Sequence, residues 1–399
     1  QATALKEMHE RRDSMTVRIV PADEIYNEFA SGTPDVSAYK RYLKMLYDRA
    51  TIEKDLPKYV LLFGDCLWDN RHKTASTASF DVNNFLLCYE SENSYSDTEC
   101  YVSDDFIGLL DDNETIKTGD YVTGMPDIAI GRIPVTNPID AQTVVDKTIY
   151  YAEHSHEAAW QNTIMFLGDD GNNNIHMRDI DAVAEEIGRM YPGYYTRKVM
   201  WDAFERISSA SGNRYPEATS IIKKQQNDGA LIIDYGGHGS EAAISHEYVL
   251  TLHDFNEFRG SNYSFWITAS CEIMPFDGVD ETIGESALLN SKGGSIGFFG
   301  TTRTVLSSSN KHANRLYMMY VLSSDENGNF RTIGEANRLT KDSLVLKSLR
   351  LGGGAKACER PLLAEELEHL KKPNAFAAAG KAQLFCWGSL NVNLIQFNL

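Results

Sequence analysis

Two stretches of the chain end an apolar run in a side chain capable of proton transfer or nucleophilic attack. In Ala230-Leu-Ile-Ile-Asp-Tyr-Gly-Gly-His-Gly-Ser240 a buried-strand pattern leads into the glycine-flanked His238, and in Ser264-Phe-Trp-Ile-Thr-Ala-Ser-Cys-Glu272 a second such pattern leads into Cys271. If the two runs are parallel neighbours, both side chains emerge at one edge of the sheet, where open α/β sheets bind their ligands. An imidazole there can take the proton of a thiol and stabilise the thiolate, which is the arrangement for acyl transfer through a cysteine nucleophile. The glycines let the main chain turn sharply beside a substrate, and the amides of Gly239 and Cys271 are natural donors to a developing oxyanion. A cysteine after a strand is often only a small buried hydrophobe. The coincidence of two reactive strand ends is what favours the catalytic pair.

The elements that must position this pair follow from hydrophobic periodicity. Short apolar runs ending in turn formers predict strands at 58–63, 127–132, 163–167, 230–235, 264–269 and 295–299. Helical periods predict helices over 38–50, 139–154, 179–191, 216–227, 282–291, 312–321 and 332–347. Strand and helix alternate, the pattern of an α/β sheet layered by helices. Residues 74–124 break the rhythm and read as a long irregular excursion rich in Ser, Asp, Asn and Tyr. A boundary at 160–162 divides the chain into an amino-terminal α/β subdomain, 1–160, and a second subdomain, 161–399, that carries His238 and Cys271.

Composition narrows the function. The 399 residues carry a formal net charge of −18, which argues against a nucleic-acid partner because phosphate binding needs concentrated positive charge. The six cysteines lack CxxC spacing and are too sparse for a disulfide scaffold. No apolar run is long enough to cross a bilayer. Residues 1–13 lack the basic-then-apolar order of a signal peptide, so an exported protein would reach this form as a processed piece. There is no Gly-Lys-Ser/Thr phosphate loop.

Tyr235-Gly-Gly-His-Gly-Ser240 and Thr268-Ala-Ser-Cys-Glu272 resemble the paired histidine and cysteine motifs of the gingipain-type cysteine peptidases, family C25. Supporting stretches occur in order along almost the whole chain: Ile25-Tyr-Asn-Glu-Phe-Ala-Ser-Gly32, Tyr59-Val-Leu-Leu-Phe-Gly-Asp65, Ile130-Gly-Arg-Ile-Pro134, Gly284-Glu-Ser-Ala-Leu-Leu289 and Gly293-Gly-Ser-Ile-Gly-Phe-Phe-Gly-Thr-Thr302. The resemblance implies a caspase-like layered α/β fold, Cys271 as nucleophile and His238 as base. It is strongest to the branch that removes carboxyl-terminal signals from proteins exported by the type IX secretion system. That branch implies an enzyme at the cell surface or on the outer membrane. Its partners would be secreted cargo with C-terminal signal domains and other components of the secretion machinery, and its acceptor a surface lipopolysaccharide. The alternatives are a general gingipain-like secreted protease and a non-catalytic scaffold of the secretion complex.

The resemblance also proposes further site residues. Phe166-Leu-Gly-Asp-Asp-Gly171 occupies the place of the family's third, acidic member, assigned to Asp170 with Asp169 as the alternative; it would orient the imidazole. Asn174 stands near the position where arginine-specific relatives carry a substrate-binding aspartate, and a neutral amide does not offset the desolvation of a guanidinium as a carboxylate does. Glu272 is a candidate to touch substrate, or else to point away from the thiol and pair with a cation, for which Arg303 is the candidate. The family's closing Leu-Gly-Asp-Pro stretch is absent; the chain here reads Phe385-Cys-Trp-Gly-Ser-Leu-Asn-Val392. No cofactor is required. Structural calcium is conceivable in such a family, but the acidic run Asp104, Asp105, Asp111, Asp112 and Glu114 lacks EF-hand spacing and reads first as a solvated loop, so no metal ligand is assigned. His154, His156 and Glu157 sit at a helix end without a further ligand and read as surface residues.

Overall fold

The structure is a computed structural model. It describes residues 1–352 and 392–395, apart from 98, 118–120, 155–157 and 211. Helices α1 (Ala2–Arg12), α2 (Ala22–Phe29) and α3 (Val36–Arg49) precede a parallel pair of strands, β1 (Tyr59–Phe63) and β2 (Ala129–Ile133). Helix α3 starts where its periodicity predicts because the Asp35 side chain accepts the Ser37 N–H at 2.8 Å and so caps one of the free amides of the first turn. Among the described residues, the excursion between β1 and β2 holds two-stranded hairpins and short 3₁₀ turns. It is pinned by Arg132 of β2, which is 1% exposed and pairs with Asp104 at 2.7 Å. The Cys66 and Cys88 thiols touch in a small buried cluster with Val102 and Phe276.

Helix α4 (Pro138–His154) leads into a six-stranded sheet. The sheet is built in turn from β3 (Thr163–Gly168), α5 (Gly171–Met190), β4 (Tyr195–Met200), α6 (Pro216–Asp228), β5 (Ile232–Gly236), α7 (Leu252–Glu257), β6 (Ser264–Ala269), α8 (Ile283–Leu289), β7 (Ser295–Thr301), α9 (Ser307–Val321), α10 (Ile333–Gly352) and β8 (Val392–Ile395). The strand order is β8-β7-β6-β5-β3-β4, all parallel except β8, which runs antiparallel to β7.

The alternation of side chains across the strands makes this a three-layer sandwich. Met165, Leu167, Ile233, Tyr235, Trp266 and Phe298 face a core shared with α1, α4, α6 and α8. Ile164, Phe166, Ile232, Phe265, Ile267 and Phe299 face the opposite core, shared with α5, α9 and α10. Each of these large side chains contributes about 1.5–3 kcal/mol through burial. Helix α4 also anchors the second sheet electrostatically: the buried Lys147 ammonium donates to the carbonyls of Leu288, Asn290 and Gly293 at 2.8–3.2 Å.

The six expected strands and seven expected helices are present. Elements that periodicity did not reveal are α1, α2, α7, β4 and β8. Helix α1 buries only Leu5 and Met8, too few to mark a face, and β4 is an edge strand reading Tyr-Thr-Arg-Lys-Val-Met, whose polar middle leaves no continuous apolar run. Of the unusual closing stretch, residues 385–391 lie outside the described residues, and Val392 opens β8.

Candidate active site

Strand order reverses between β3 and β5: after β3 the chain goes out to the edge strand β4 and returns on the other side of β3. This is the switch point at which α/β sheets open a crevice beyond the strands' carboxyl ends. Asp169 follows β3, His238 follows β5 and Cys271 follows the next strand, β6. The glycines before His238 have no room for side chains. A Cβ at Gly236 would overlap Ile180, and one at Gly237 would overlap the Tyr235 hydroxyl and Asp169.

The main chain of His238 is fixed from two sides. Its N–H donates to Asp169 Oδ2 at 2.8 Å, and its carbonyl accepts the Tyr235 hydroxyl at 2.5 Å and the Ser245 N–H at 2.9 Å. Asp169 is 1% exposed, and its other oxygen accepts the Gly171 N–H at 2.8 Å. Asp170 lies in the same cluster, but Tyr215 donates its hydroxyl to Asp170 Oδ2 at 2.6 Å. The carboxylate expected to orient the imidazole therefore acts elsewhere. The acid that reaches His238 is Asp169, and it holds the peptide unit; among the described residues no carboxylate bonds to the ring. Other imidazoles flank the ring. His246 stacks on its face with centroids 4.3 Å apart and planes 19° apart, and His176 meets it edge-on at 5.0 Å. Burial, and then the neighbouring His238, push the His176 pKa down, so His176 stays neutral near pH 7.

Cys271 leaves β6 through a turn in which the Thr301 hydroxyl donates to the Ser270 carbonyl at 2.7 Å. The thiol is half-buried, and its sulfur accepts the Val305 N–H at 3.4 Å. Burial raises the Cys271 pKa, the Val305 N–H lowers it and the Glu272 charge raises it again, leaving it above the usual thiol value. The resting thiol is thus protonated near pH 7 and needs a base to become a nucleophile. Cys271 and His238 line one cavity of about 230 Å³ that descends between α5 and α9. Among the described residues no carbonyl accepts the N–H of Gly239 or of Cys271, so both expected oxyanion donors are available. Gly239 lies close against the Cys271 carbonyl, where a Cβ would come within 2.9 Å.

Other expectations are corrected. Arg303 does not pair with Glu272. Its guanidinium forks onto Asp277 at 2.5 and 2.8 Å, while Glu272, at a φ of 48°, accepts the Thr304 hydroxyl at 2.8 Å. Asp277 wins because it is 2% exposed and presents both oxygens to the fork. Asn174 belongs to a left-handed run with Asn172 and Asn173, and it is Asn172 that lines the cavity; the Asn174 amide points to Asp202 at 3.4 Å.

The acidic run does not form one solvated loop. Asp104 is buried against Arg132, Asp105 pairs with Lys341, Asp111 accepts the Tyr47 hydroxyl and Asp112 pairs with Lys44. Asp111, Glu114 and Asp127 bring oxygens within 4.8 Å of one another. Carboxylate oxygens are the donor type calcium takes. Both Glu114 oxygens and Asp127 Oδ2 also accept amide N–H groups, which hold the three side chains together. His154 bonds to the Tyr150 carbonyl at 3.0 Å; His156 and Glu157 lie outside the described residues.

Sequence reasoning missed His176, His246, Asn310 and Asn314. His176, Asn310 and Asn314 lie within helices and His246 follows only the two-residue strand 243–244, so no apolar run announces any of them. The one available signal is the polar row Ser307, Asn310, Lys311 and Asn314, whose three- and four-residue spacing marks a single helix face.

The parallel sheet layered by helices, with its strand-end histidine and cysteine, defines a caspase-like α/β protein of the gingipain type. Its fold is similar to that of the Arg-specific cysteine proteinase gingipain R, at a TM-score of 0.60 and 17% identity over 87% of this chain and 70% of that one. It is equally similar to the complex of RgpB pro- and mature domains from Porphyromonas gingivalis, at 0.60 and 16% identity over 87% and 72%. Dimeric latent PorU from Porphyromonas gingivalis aligns at 0.46 and 23% identity over 86% of this chain and 27% of that one. Comparison with curated protein sequences finds no match. The chain belongs to peptidase family C25, whose pattern matches residues 1–363, and the family is one of cysteine peptidases.

Proposed function

We propose that the chain is a cysteine endopeptidase in which His238 takes the proton of the Cys271 thiol as the sulfur attacks a peptide carbonyl. The amides of Gly239 and Cys271 receive the oxyanion, and His238 then protonates the leaving amine, which leaves a thioester acyl-enzyme. The observation that carries this reading is that Cys271 and His238 share one cavity in a chain of a cysteine peptidase family. The sequence calls for no cofactor, and no step passes through calcium.

The substrates in this reading are secreted proteins with C-terminal signals, met at the outer membrane among other type IX secretion components. Attack on the thioester by an amine of a surface lipopolysaccharide, in place of water, would transfer the cargo to that acceptor. What supports this finer role is the motif resemblance to the signal-removing branch of the family. Cys271→Ala tests both levels. Loss of thiol-directed labelling together with cargo that keeps its C-terminal signal is expected, and mass analysis of cargo made by the wild type would read a free carboxyl terminus or an added acceptor. Unchanged processing by the alanine variant overturns the enzyme reading.

A further inference from the structure

The cavity beside the thiol has a polar floor that no step of acyl transfer uses. Helix α9 lines it with Ser307, Asn310, Lys311 and Asn314, one face running two turns inward, about 10 Å along the axis. Ile180 and Val183 of α5 form the facing apolar wall. At the inner end Asn314 is 2% exposed, and its amide donates to Asp234 Oδ1 at 2.6 Å. Asn314 Oδ1 is buried and, among the described residues, has no hydrogen-bond partner. A buried acceptor left unmade is costly, so any group entering the cavity with a hydrogen to donate is favoured over one of the same shape without it.

The charges in the cavity argue for a neutral donor. Asp179 of α5 is neutralised by its ion pair with Lys311, which reaches it across the cavity from α9. Asp234 is wholly buried behind Asn314, and burial pushes its carboxyl up to about 7, with the Asn314 amide as its one bond. An arriving guanidinium or ammonium would find one carboxylate held by Lys311 and the other set behind the Asn314 amide.

We propose that Asn314 is a specificity-determining residue and that the cavity takes a substrate side chain ending in an uncharged hydrogen-bond donor: Ser, Thr, Asn or Gln. This rests on the proposed function, because the side chain nearest the thiol is that of the residue whose carbonyl Cys271 attacks. A site built to hydrogen-bond its substrate discriminates against the isostere lacking the donor far better than an apolar pocket discriminates by size.

The test uses the full chain and peptidyl acyloxymethyl ketones that differ only in the residue next to the warhead: Thr against Val, Asn against Leu, and Lys. Labelling of Cys271, followed by intact mass, is expected to be about ten- to a hundredfold faster for Thr and Asn than for Val and Leu, with Lys no better than Leu. Asn314→Leu combined with Asp234→Leu removes both polar partners without orphaning either, and is expected to erase the preference while labelling continues. Equal rates for the isosteric pairs, or fastest labelling by Lys, overturn the inference and leave the nucleophile standing. No labelling of Cys271 by any probe overturns the proposed function, and this inference with it.

Discussion

Strands β1 and β3 end alike, in Phe63-Gly64-Asp65 and Leu167-Gly168-Asp169, and both aspartates are buried, yet their surroundings differ. Asp169 sits at the switch point and accepts N–H groups from His238 and Gly171, so its charge is met by donors. Asp65 has one oxygen with no partner among the described residues, because the nearby Arg132 guanidinium is bonded to Asp104 and to the carbonyls of Gly64, Asp65 and Leu87. Burial raises the Asp65 pKa to about 7, against the lowering effects of the Cys66 N–H and Arg132. The same local sequence thus makes a positioning carboxylate in one sheet and a reluctantly ionised acid in the other. What separates them is which neighbours the topology supplies.

The sharpest way to break this comparison is Asp169→Ala. It strips the acceptor from two buried amides and frees the His238 main chain, so peptidase activity is expected to fall by at least about a hundredfold, from roughly 1–3 kcal/mol for each unmet group. Peptide cleavage measured beside a circular-dichroism melt checks it, and retained activity would mean that Asp169 does not position the histidine. At the other strand end, Arg132→Met leaves Asp104 as an uncompensated buried charge and is expected to cost about 3–5 kcal/mol in urea unfolding. Below the melting transition its activity per folded molecule should stay near wild type. A loss of less than about 1 kcal/mol would show that the pair is hydrated.

The smallest effect is a slope. The folded-state pKa of Asp65 lies above its unfolded value, so the folded protein holds more protons and loses stability as pH rises from about 4 to about 7. Asp65→Asn should flatten the stability profile across that window, by at most about 1.4 kcal/mol per pH unit. Thermal melts at several pH values would read this directly, and an unchanged slope would assign it to the other raised acids.

The placement of His238 and Cys271 at neighbouring strand ends was legible in the sequence because each combines an apolar run, a turn-forming neighbourhood and a chemically distinctive residue. The sheet was legible for the same reason, since its buried strands are continuous apolar runs. Edge strand β4 was not, because Thr196, Arg197 and Lys198 interrupt any apolar run. The shell around His238 was hidden for a different cause. Asp169 and Asp170 are adjacent and chemically equivalent on paper, and only the turn into α5 decides that one meets a peptide N–H and the other a tyrosine. His246 is placed by the hairpin of Ala243–Ile244 with Leu250–Thr251, whose turn positive φ angles at Ser245 and Tyr248 close. Nothing in Ser-His-Glu-Tyr announces that geometry.

His238 is anchored through its peptide unit, while its imidazole rests against His246 and His176. Turning such a ring costs part of a stacking contact, whereas a ring tied to a carboxylate must break a charge-assisted hydrogen bond. Acyl transfer asks one base to serve partners in sequence, first the thiol, then the departing amine, then the water or amine that opens the thioester. In the proposed reaction a ring held by other imidazoles would meet these partners in turn, so His246 and His176 would bear on every step.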